Sequence, residues 1–318
     1  MMMQKGFWIL SMKEFEFISY LEKSIVNKNK YIGDDAALIY DRLLISKDIL
    51  SENVHFLSST PLKYVIHKLF TCNISDISSM GAVAKYVLLG LALKDKSYLE
   101  QILPLIEEEC KFYNVELIGG DTTSSERNVF SLTVLGEKGA NTVYRSGAES
   151  GDIIFISRPL GRCRISLEKE LNKYSFNIDK YYHYQVNAEN KLGEYLGCTS
   201  GITSMTDISD GLGVDLNNIA LLSNKKAVIE YDRLDLSYLD EYGIDNFEYF
   251  VSSGEEFALL FTVKSSLALK IQKDILDKLG IKIIPVGRIE EGSGIFVEKN
   301  GHMQKIVKGG YEHFNKKC

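Results

Sequence analysis

The sequence predicts a two-domain protein of mixed α/β class, an α+β arrangement rather than a strict alternation of strands and helices. The length of 318 residues suits two domains, because a domain commonly contains ~150 residues. Hydrophobic residues make up 45% of the chain and charged residues 25%, which excludes a wholly disordered protein. In the first half the predicted strands group around two long helices, which is unlike the βαβ repeats of a dinucleotide-binding fold.

The first half of the chain contains the elements of an N-terminal domain. Residues 12–24 show helical spacing with Ser11 as a possible N-cap, and LLISKD at 43–48 is typical of a strand. A long helix follows, which Thr60 caps and Pro61 begins. Another helix is predicted at 98–113, and further strands at 86–93, 115–118 and 129–136.

The segment 138–151 is polar and contains glycine, so we place the domain boundary there. The predicted domains cover residues 12–137 and 150–318. Residues 1–11 are expected to be a disordered extension or to result from an upstream start. The predicted helices of the second half cover 161–172, 179–196, 210–223 and 265–279, and its strands cover 152–157, 227–231, 257–263, 282–287 and a segment that ends near 207.

Charge and cysteine usage limit the class of protein. The 37 basic and 43 acidic residues give a net charge of −6, which argues against bulk binding to nucleic acid or to an anionic membrane. No apolar run approaches the ~18 residues of a membrane span, and the start of the chain is unlike a secretory signal. The five cysteines and five histidines show no zinc-ligand spacing. We therefore expect a cytoplasmic protein with reduced thiols.

Carboxylates in apolar or glycine-rich surroundings are the most informative feature of the sequence. Ionised carboxylates are almost never buried unless they are paired or bound to a metal. Magnesium takes oxygen ligands and is often held by a few carboxylates together with substrate phosphates. The pattern therefore indicates a magnesium and phosphate site. The carboxylates concerned are Asp34, Asp35, Asp48, Asp76, Asp121, Asp207, Asp210, Glu255 and Glu256.

Asp76 is the sharpest case because it continues an apolar stripe at helical spacing. If the long helix extends this far, Asn73 and Asp76 belong to its buried face. The alternative is that the helix ends near Asn73 and Asp76 caps a loop. The stripe consists of Leu62, Ile66, Leu69, Asn73, Asp76 and Met80.

The other acidic motifs each have a simpler interpretation as well. Asp121 follows two glycines at the end of a predicted strand, where loops carry function, but glycine and aspartate also favour plain turns. The pair Asp34 and Asp35 is open to the same objection. Asp207 and Asp210 precede a predicted helix, where Asp210 is also a suitable N-cap. Six such sites in one chain are not well explained by turns and caps alone.

Other motifs for phosphate binding and nucleophilic catalysis are absent from the sequence. It contains no GxxxxGK[ST] loop, no HRD motif with a later DFG, and no GxSxG elbow. Cys72 on a helix face is more simply a small core residue than a nucleophile. Arg145, between the two domains, is either a phosphate clamp or a solvated linker residue.

Taken together, eight segments resemble the thiamine-monophosphate kinase family of the aminoimidazole-ribonucleotide-synthetase-like superfamily. They occur in the order of the family and at approximately its spacing, and they span residues 32–314, which is nearly the whole chain. The set is highly specific, although no single segment is. The segments are IGDDAAL, LLISKDILSENVHF, NISDISSMGA, LIGGDTT, YRSGAESGD, DISDGLGVDL, SSGEEFALLFTV and GGYEHF.

The resemblance implies that ATP donates its γ-phosphoryl group directly to thiamine monophosphate, with several Mg²⁺ ions present. It also implies a synthetase-like fold, in which an N-terminal metal- and ATP-binding domain forms a homodimer by joining sheets and a C-terminal α/β domain closes the cleft. Both reactants are anionic, so magnesium would neutralise and align them. An ionised acceptor phosphate needs little help from a base, which fits a chain rich in aspartate.

Three groups of site residues follow from the resemblance, residue by residue. The metal candidates are Asp35, Ser46, Lys47, Asp48, Asp76, Asp121, Asp207 and Asp210, of which Asp76, Asp121 and Asp210 are also the catalytic candidates. The candidates for contacts with ATP are Gly120, Asp121, Arg145 and Ser209. The candidates for contacts with thiamine monophosphate are His55, Glu255 and Tyr311.

Lys47 is one of three departures from the family pattern, because a small hydroxyl residue is usual at this position. The others are SSGEEFAL in place of SGGEDYEL, and a loop at 156–168 that contains less glycine. Side chains alternate along a strand, so Ser46 and Asp48 are expected to share the metal face while Lys47 points away and offers at most its carbonyl. The alternative is that its ammonium group replaces one metal charge.

Three other functions compete with the kinase. A hydrogenase-maturation dehydratase relative ends in a functional cysteine, and this chain ends in Cys318, but the preceding GGYEHF matches the kinases. A selenophosphate synthetase needs a reactive cysteine and lysine near the N-terminus, and neither has a suitable context here. A non-catalytic nucleotide or metal sensor would not need the full set of aspartates.

Overall fold

Two β-sheets with packed helices form the protein, which confirms the predicted mixed α/β class. The computed structural model describes residues 20–21, 23 and 31–306. Most of the helix predicted at 12–24 lies outside the described residues, as do residues 1–11, Tyr311 and Cys318. No helix among the described residues is long and apolar enough to cross a membrane.

The N-terminal sheet has the strand order β1-β2-β5-β3-β4, with β3 and β4 parallel and the other neighbours antiparallel. Alternate apolar side chains of β2, β3 and β5 pack against two helices on one face and form a single core. The strands are β1 (Ala37–Ile39), β2 (Leu43–Ser51), β3 (Val83–Leu93), β4 (Glu116–Ser124) and β5 (Val129–Glu137), and the helices are α1 (Leu62–Ser79) and α2 (Ser97–Tyr113).

The opposite face of this sheet has no helix on it in the described part of the chain. We call it the open face. Apolar side chains are exposed there, at 54% for Ile49, 40% for Tyr86 and 37% for Leu88. Single exposed apolar residues are common, but a sheet face that carries several is typical of an interaction surface.

The C-terminal sheet has the strand order β12-β11-β8-β10-β6-β9-β7, and apolar clusters cover both of its faces. Helices α5 and α6 pack on one face, and α4 and α7 on the other. The strands are β6 (Ile153–Ile156), β7 (Ile202–Asp207), β8 (Lys226–Glu230), β9 (Leu259–Val263), β10 (Ile284–Glu290), β11 (Gly294–Lys299) and β12 (His302–Lys305). The helices are α3 (Arg162–Glu170), α4 (Asn190–Gly197), α5 (Leu212–Leu222), α6 (Asn246–Ser252) and α7 (Ser265–Leu279).

The helix predicted at 179–196 and the cap predicted at Thr60 are both wrong. The helix predicted at 179–196 is a short 3₁₀ turn, Tyr182–Tyr184, then an extended stretch and α4. The carbonyl of Val186 in that stretch accepts a hydrogen bond from Thr71 of α1, so its backbone is used between domains rather than within a helix. Thr60 does not cap α1, because its hydroxyl oxygen accepts from the backbone N–H of Leu57 at 3.2 Å, outside the helix, while the hydroxyl donates to Glu170.

Glycines bring the two domains into backbone contact. Gly193 and Gly197, four residues apart on α4, face the C-terminal end of α1 and the turn after it. A Cβ atom at Gly193 would lie 2.3 Å from the carbonyl oxygen of Ser78, and one at Gly197 would lie 2.1 Å from that of Gly81. Only glycine permits this approach, which holds α1 against the C-terminal domain.

Gly193→Ala is therefore expected to destabilise the protein. The added methyl group overlaps backbone rather than a flexible side chain, and such overpacking costs about 1–3 kcal/mol of unfolding free energy. Glu194→Ala, at the exposed next position of α4, is the matched control and should change stability by less than about 0.5 kcal/mol. Urea unfolding followed by circular dichroism measures both, and equal stability of the two variants would contradict the close contact.

Candidate active site

Three carboxylates from the two domains meet beside α1. Asp35 precedes β1, Asp76 lies on α1, and Asp207 ends β7. One oxygen atom from each lies within 4.8 Å of the others. Helix α1 continues to Ser79, so Asp76 is part of its buried face rather than a loop cap. The structure thus brings three of the predicted metal residues into one group, which we call the acidic cluster.

Serine hydroxyl groups hold the acidic cluster in place. Ser79 of α1 donates to Asp35 at 2.8 Å, and Ser75, one turn earlier, donates to Asp207 at 2.6 Å. Ser46 of β2 donates to the third carboxylate. The bond from Ser75 crosses between the domains, so the geometry of the cluster depends on how α1 packs against the C-terminal sheet.

Arg145 lies in the acidic cluster and is not a solvated linker residue. Its guanidinium group forms an ion pair with Asp35 and donates to Thr206 at 3.2 Å. Its backbone N–H donates to Asp34 at 2.8 Å. A positive charge therefore sits at the junction of the domains, where it partly balances the carboxylates.

Burial and mutual repulsion raise the pKa of two of these carboxylates, Asp76 and Asp207. Burial raises the pKa of Asp207 to about 7, and the negative charge of Asp35 acts in the same direction. Burial also raises the pKa of Asp76 well above its usual range, with further increases from Asp48, Asp207 and Asp35. Like charges this close cannot all be ionised unless a cation is present.

The residues of the acidic cluster fit magnesium. Their metal-binding atoms are carboxylate oxygens, and the groups that support them are hydroxyls, a set that suits Mg²⁺ better than zinc. Arg145 contacts only one of the three carboxylates, which leaves negative charge for a metal ion to balance. Asp35, Asp76 and Asp207 would hold the ion.

A cavity of about 400 Å³ lies between the two domains next to the acidic cluster. Asp48 connects the two, because it lines the cavity and its charge raises the pKa of Asp76. Burial raises the pKa of Asp48 itself. The cavity collects residues that were predicted to bind metal, ATP or substrate, namely Asp48, His55, Ser209, Asp210 and Glu255.

An ion pair between a buried lysine and a half-buried glutamate lies at the wall of this cavity. Lys68 of α1, only 3% exposed, pairs with Glu255 of the loop before β9 and also donates to the carbonyl of His55 at 3.3 Å. Burial alone would raise the pKa of Glu255, but the Lys68 ammonium holds it below its usual range. Glu255 has a φ of 57°, a left-handed backbone conformation that is unfavourable for a glutamate. The contact with Lys68 is made from this conformation.

A carboxylate of helix α5 holds the loop after β7 through hydrogen bonds to its backbone. One carboxylate oxygen of Asp215 accepts hydrogen bonds from the N–H groups of Ser209, Asp210 and Gly211, at 3.2, 3.2 and 3.1 Å. Gly211 is the N-cap, so Asp210 does not cap the helix, which was the simpler interpretation of this residue. The side chains of Ser209 and Asp210 are left to face the cavity.

Asp121 and Gly120 lie away from the acidic cluster. Strand β4 does not end before the glycines as predicted, because its register shifts between Leu117 and Gly119 and its pairing with β3 then continues to Ser124. Asp121 is exposed on the open face and accepts only a local hydrogen bond, from Thr122. Within one chain, this predicted catalytic residue does not join the others.

Lys47 also lies on the open face, as strand alternation predicts. Its Nζ atom donates to Ser131 at 2.5 Å and to Thr133 at 3.4 Å, while its neighbours Ser46 and Asp48 face α1. Its side chain therefore does not enter the acidic cluster of its own chain. Tyr311, the remaining substrate candidate, lies outside the described residues.

Sequence reasoning did not identify four residues that support the site. Lys68, Ser75 and Ser79 lie on α1, and Asp215 lies on α5. The signal for the helix residues was available, because Lys68, Cys72, Ser75 and Ser79 form a second stripe at steps of three and four. Asp215 gave no such signal, since an aspartate in the first turn of a helix is common.

Comparison with known proteins places the chain in a family. Residues 33–137 match the N-terminal domain, and residues 184–300 the C-terminal domain, of AIR synthase related proteins. The thiamine-monophosphate kinase of Aquifex aeolicus is 32% identical over 95% of this chain and 98% of its own length. That of Haemophilus influenzae is 31% identical over 96% of this chain and 99% of its own.

Solved structures agree with the sequence relatives. A structure described as AaThiL complexed with AMPPCP and TMP has a TM-score of 0.82 and 30% identity, and covers 95% of this chain and 97% of its own. A HypE–HypF complex has a TM-score of 0.75 but only 18% identity, over 91% of this chain and 100% of its own, and so shares the fold alone. The resemblance predicted from the motifs is confirmed: the chain belongs to the AIR synthase related family, and within it to the thiamine-monophosphate kinases.

Proposed function

We propose that the protein transfers the γ-phosphoryl group of ATP to thiamine monophosphate at the junction of its two domains, with magnesium ions bound at the acidic cluster. The observation that carries this proposal is the group of three carboxylates, of which Asp207 is buried and Asp35 and Asp76 are half-buried, with oxygens within 4.8 Å of one another, beside a cavity of about 400 Å³. Donor and acceptor are both anionic, so the reaction needs positive charge at this point. Magnesium held by Asp35, Asp76 and Asp207 would supply this charge.

The residues of the chain divide the remaining work. Arg145 balances Asp35 in the absence of ligands, and a guanidinium group is also suited to bidentate contact with a phosphate. Lys68 and Glu255 form a neutralised pair in the cavity wall, which keeps that wall rigid. His55, Ser209 and the C-terminal Tyr311 remain candidates for contacts with the ligands. Closure between the domains would exclude water from the reacting phosphates.

A homodimer formed through the N-terminal sheet is part of this proposal. Its exposed apolar side chains support an interface there, since monomeric proteins rarely leave such a face uncovered. The position of Asp121 supports it further, because this predicted catalytic residue is remote from the acidic cluster of its own chain. Contact with a second copy on this face would cover Asp121, which is otherwise exposed. A cytoplasmic location, expected from the sequence, stays a prediction.

With ATP and magnesium, the protein is expected to form thiamine diphosphate from thiamine monophosphate. Free thiamine lacks the phosphate that the cations hold, so it should react at least about 100-fold more slowly. Chromatography of the thiamine products and a coupled assay for ADP measure the two rates. ADP release at the same rate with free thiamine would contradict the proposed acceptor.

Asp76→Asn is expected to lower turnover by about 100-fold or more while the protein stays folded. It removes a metal-binding charge and also relieves repulsion in a buried site, so its melting temperature without metal should equal or exceed that of the wild type. Added magnesium should then raise the melting temperature of the wild type much more than that of the variant. Asp277→Asn, an exposed change on α7, is the control. Normal turnover of Asp76→Asn would remove this residue from the site.

Magnesium affinity is expected to rise with pH between 6 and 8. Asp207 has a pKa of about 7 and that of Asp76 is also raised, so both are largely protonated at the acidic end and must lose protons to bind a cation. Calorimetric titration in buffers of different ionisation enthalpy measures the affinity and the protons released. Affinity that does not change with pH, without proton release, would show that the cation binds elsewhere.

A further inference from the structure

We propose that Lys47 of one copy forms an ion pair with Asp121 of a second copy across a two-fold homodimer. The inference rests on the homodimer of the proposed function and goes beyond it, because it names the contact and gives Lys47 a role. The ammonium group of Lys47 would place a permanent positive charge beside Asp121, which lies away from the acidic cluster of its own chain.

Both charged side chains lie on the open face. Lys47 is placed there by its hydrogen bonds to Ser131 and Thr133, which belong to the middle of the sheet. Asp121 is the lateral neighbour of Gly90 on β3, and Gly90 is in turn the neighbour of Ser131. Lateral neighbours in a sheet point to the same side, so Asp121 shares the face of Lys47.

The two charges cannot meet within one chain. Asp121 belongs to a row across the sheet that begins at Ile49 and passes through Ser131 and Gly90. Neighbouring strands lie about 4.8 Å apart, so three steps place β4 about 14 Å from β2. Among the described residues, the acceptors that Lys47 does reach are two neutral hydroxyls. Each charge thus lacks the other as an ionic partner.

A two-fold axis brings these charges together. If the axis runs parallel to the strands, midway between β5 and β3, it exchanges β2 of one copy with β4 of the other. Positions along the strands are preserved, so Asp121 of the second copy lies opposite Ile49 of the first. Lys47 is two residues along the same strand, on the same face. Sheets that pack face to face are about 10 Å apart, a gap that a lysine and an aspartate side chain span together.

Apolar side chains surround the proposed ion pair, so its charges would be removed from water in the dimer. Ile49, Tyr86 and Leu88 are exposed on the same face and would be covered in the dimer. A charge that is covered by apolar surface is costly unless an opposite charge meets it. The two-fold axis forms the contact twice, since residue i of one copy meets residue j of the other and the reverse. The second copy is thus a partner of complementary charge.

A charge swap in the full-length protein tests the pair. The dimer dissociation constant is measured by sedimentation equilibrium for the wild type, Lys47→Asp, Asp121→Lys and the double swap. Each single swap places like charges opposite each other and should weaken the dimer at least 10-fold, and the double swap should return it to within about threefold of the wild type. Lys111→Met, on the outer side of α2, is the control and should leave the constant unchanged.

A double-mutant cycle with neutral substitutions tests the pair if a charge-swapped chain does not fold. Lys47→Met and Asp121→Asn should each weaken the dimer, and their combination should be no weaker than the worse of the two, because both remove one contact. Independent, additive effects would overturn the pair, and so would a double swap that fails to recover. A wild-type mass near 35.9 kDa at micromolar concentration would overturn the dimer itself.

Failure of this inference can be distinguished from failure of the proposed function. Formation of thiamine diphosphate by the wild type is measured separately and does not depend on the swap. A chain that phosphorylates thiamine monophosphate but shows no coupling between Lys47 and Asp121 keeps its function and loses only the ion pair.

Discussion

Repulsion among buried carboxylates is the constraint on which the rest of the structure depends. Asp35, Asp76 and Asp207 have oxygens within 4.8 Å of one another, and burial raises the pKa of Asp76 and of Asp207. Such a group is stable only when protons, an arginine or metal ions supply positive charge. In the absence of ligands, Arg145 and bound protons do so. A reaction between two phosphates needs the same positive charge, so the feature that is costly for folding is the one that suits the proposed chemistry.

Helix α1 links the acidic cluster to the packing of the two domains. It provides Asp76 for the acidic cluster, Ser75 for the hydrogen bond to Asp207, and Lys68 for the ion pair in the cavity wall. Its second half is buried, and its end packs on the glycines of α4. The distance between the acidic residues of the two domains is therefore set by backbone contact, which is stiffer than contact between long side chains.

Periodicity in the sequence was sufficient to predict features that depend on local structure. The stripe through Asn73 and Asp76 predicted that α1 extends to the acidic cluster, and strand alternation predicted the orientation of Lys47. Tertiary pairing decided the rest. Asp121 was expected at the end of a strand, but pairing with β3 extends β4 beyond it. The helix predicted through Val186 is missing because α1 binds that carbonyl. Neither partner is close in sequence, so no local pattern could reveal the contacts.

The proposed function depends on cations at the acidic cluster that join the two substrates at the domain junction. Anomalous diffraction from crystals grown with Mn²⁺, a non-hydrolysable ATP analogue and thiamine monophosphate tests it most directly. We predict an anomalous peak bonded to Asp35, Asp76 and Asp207, with the phosphates of both ligands beside it and the remainder of one ligand in the cavity lined by His55 and Glu255. Both ligands bound with no metal peak at these three carboxylates would contradict the account.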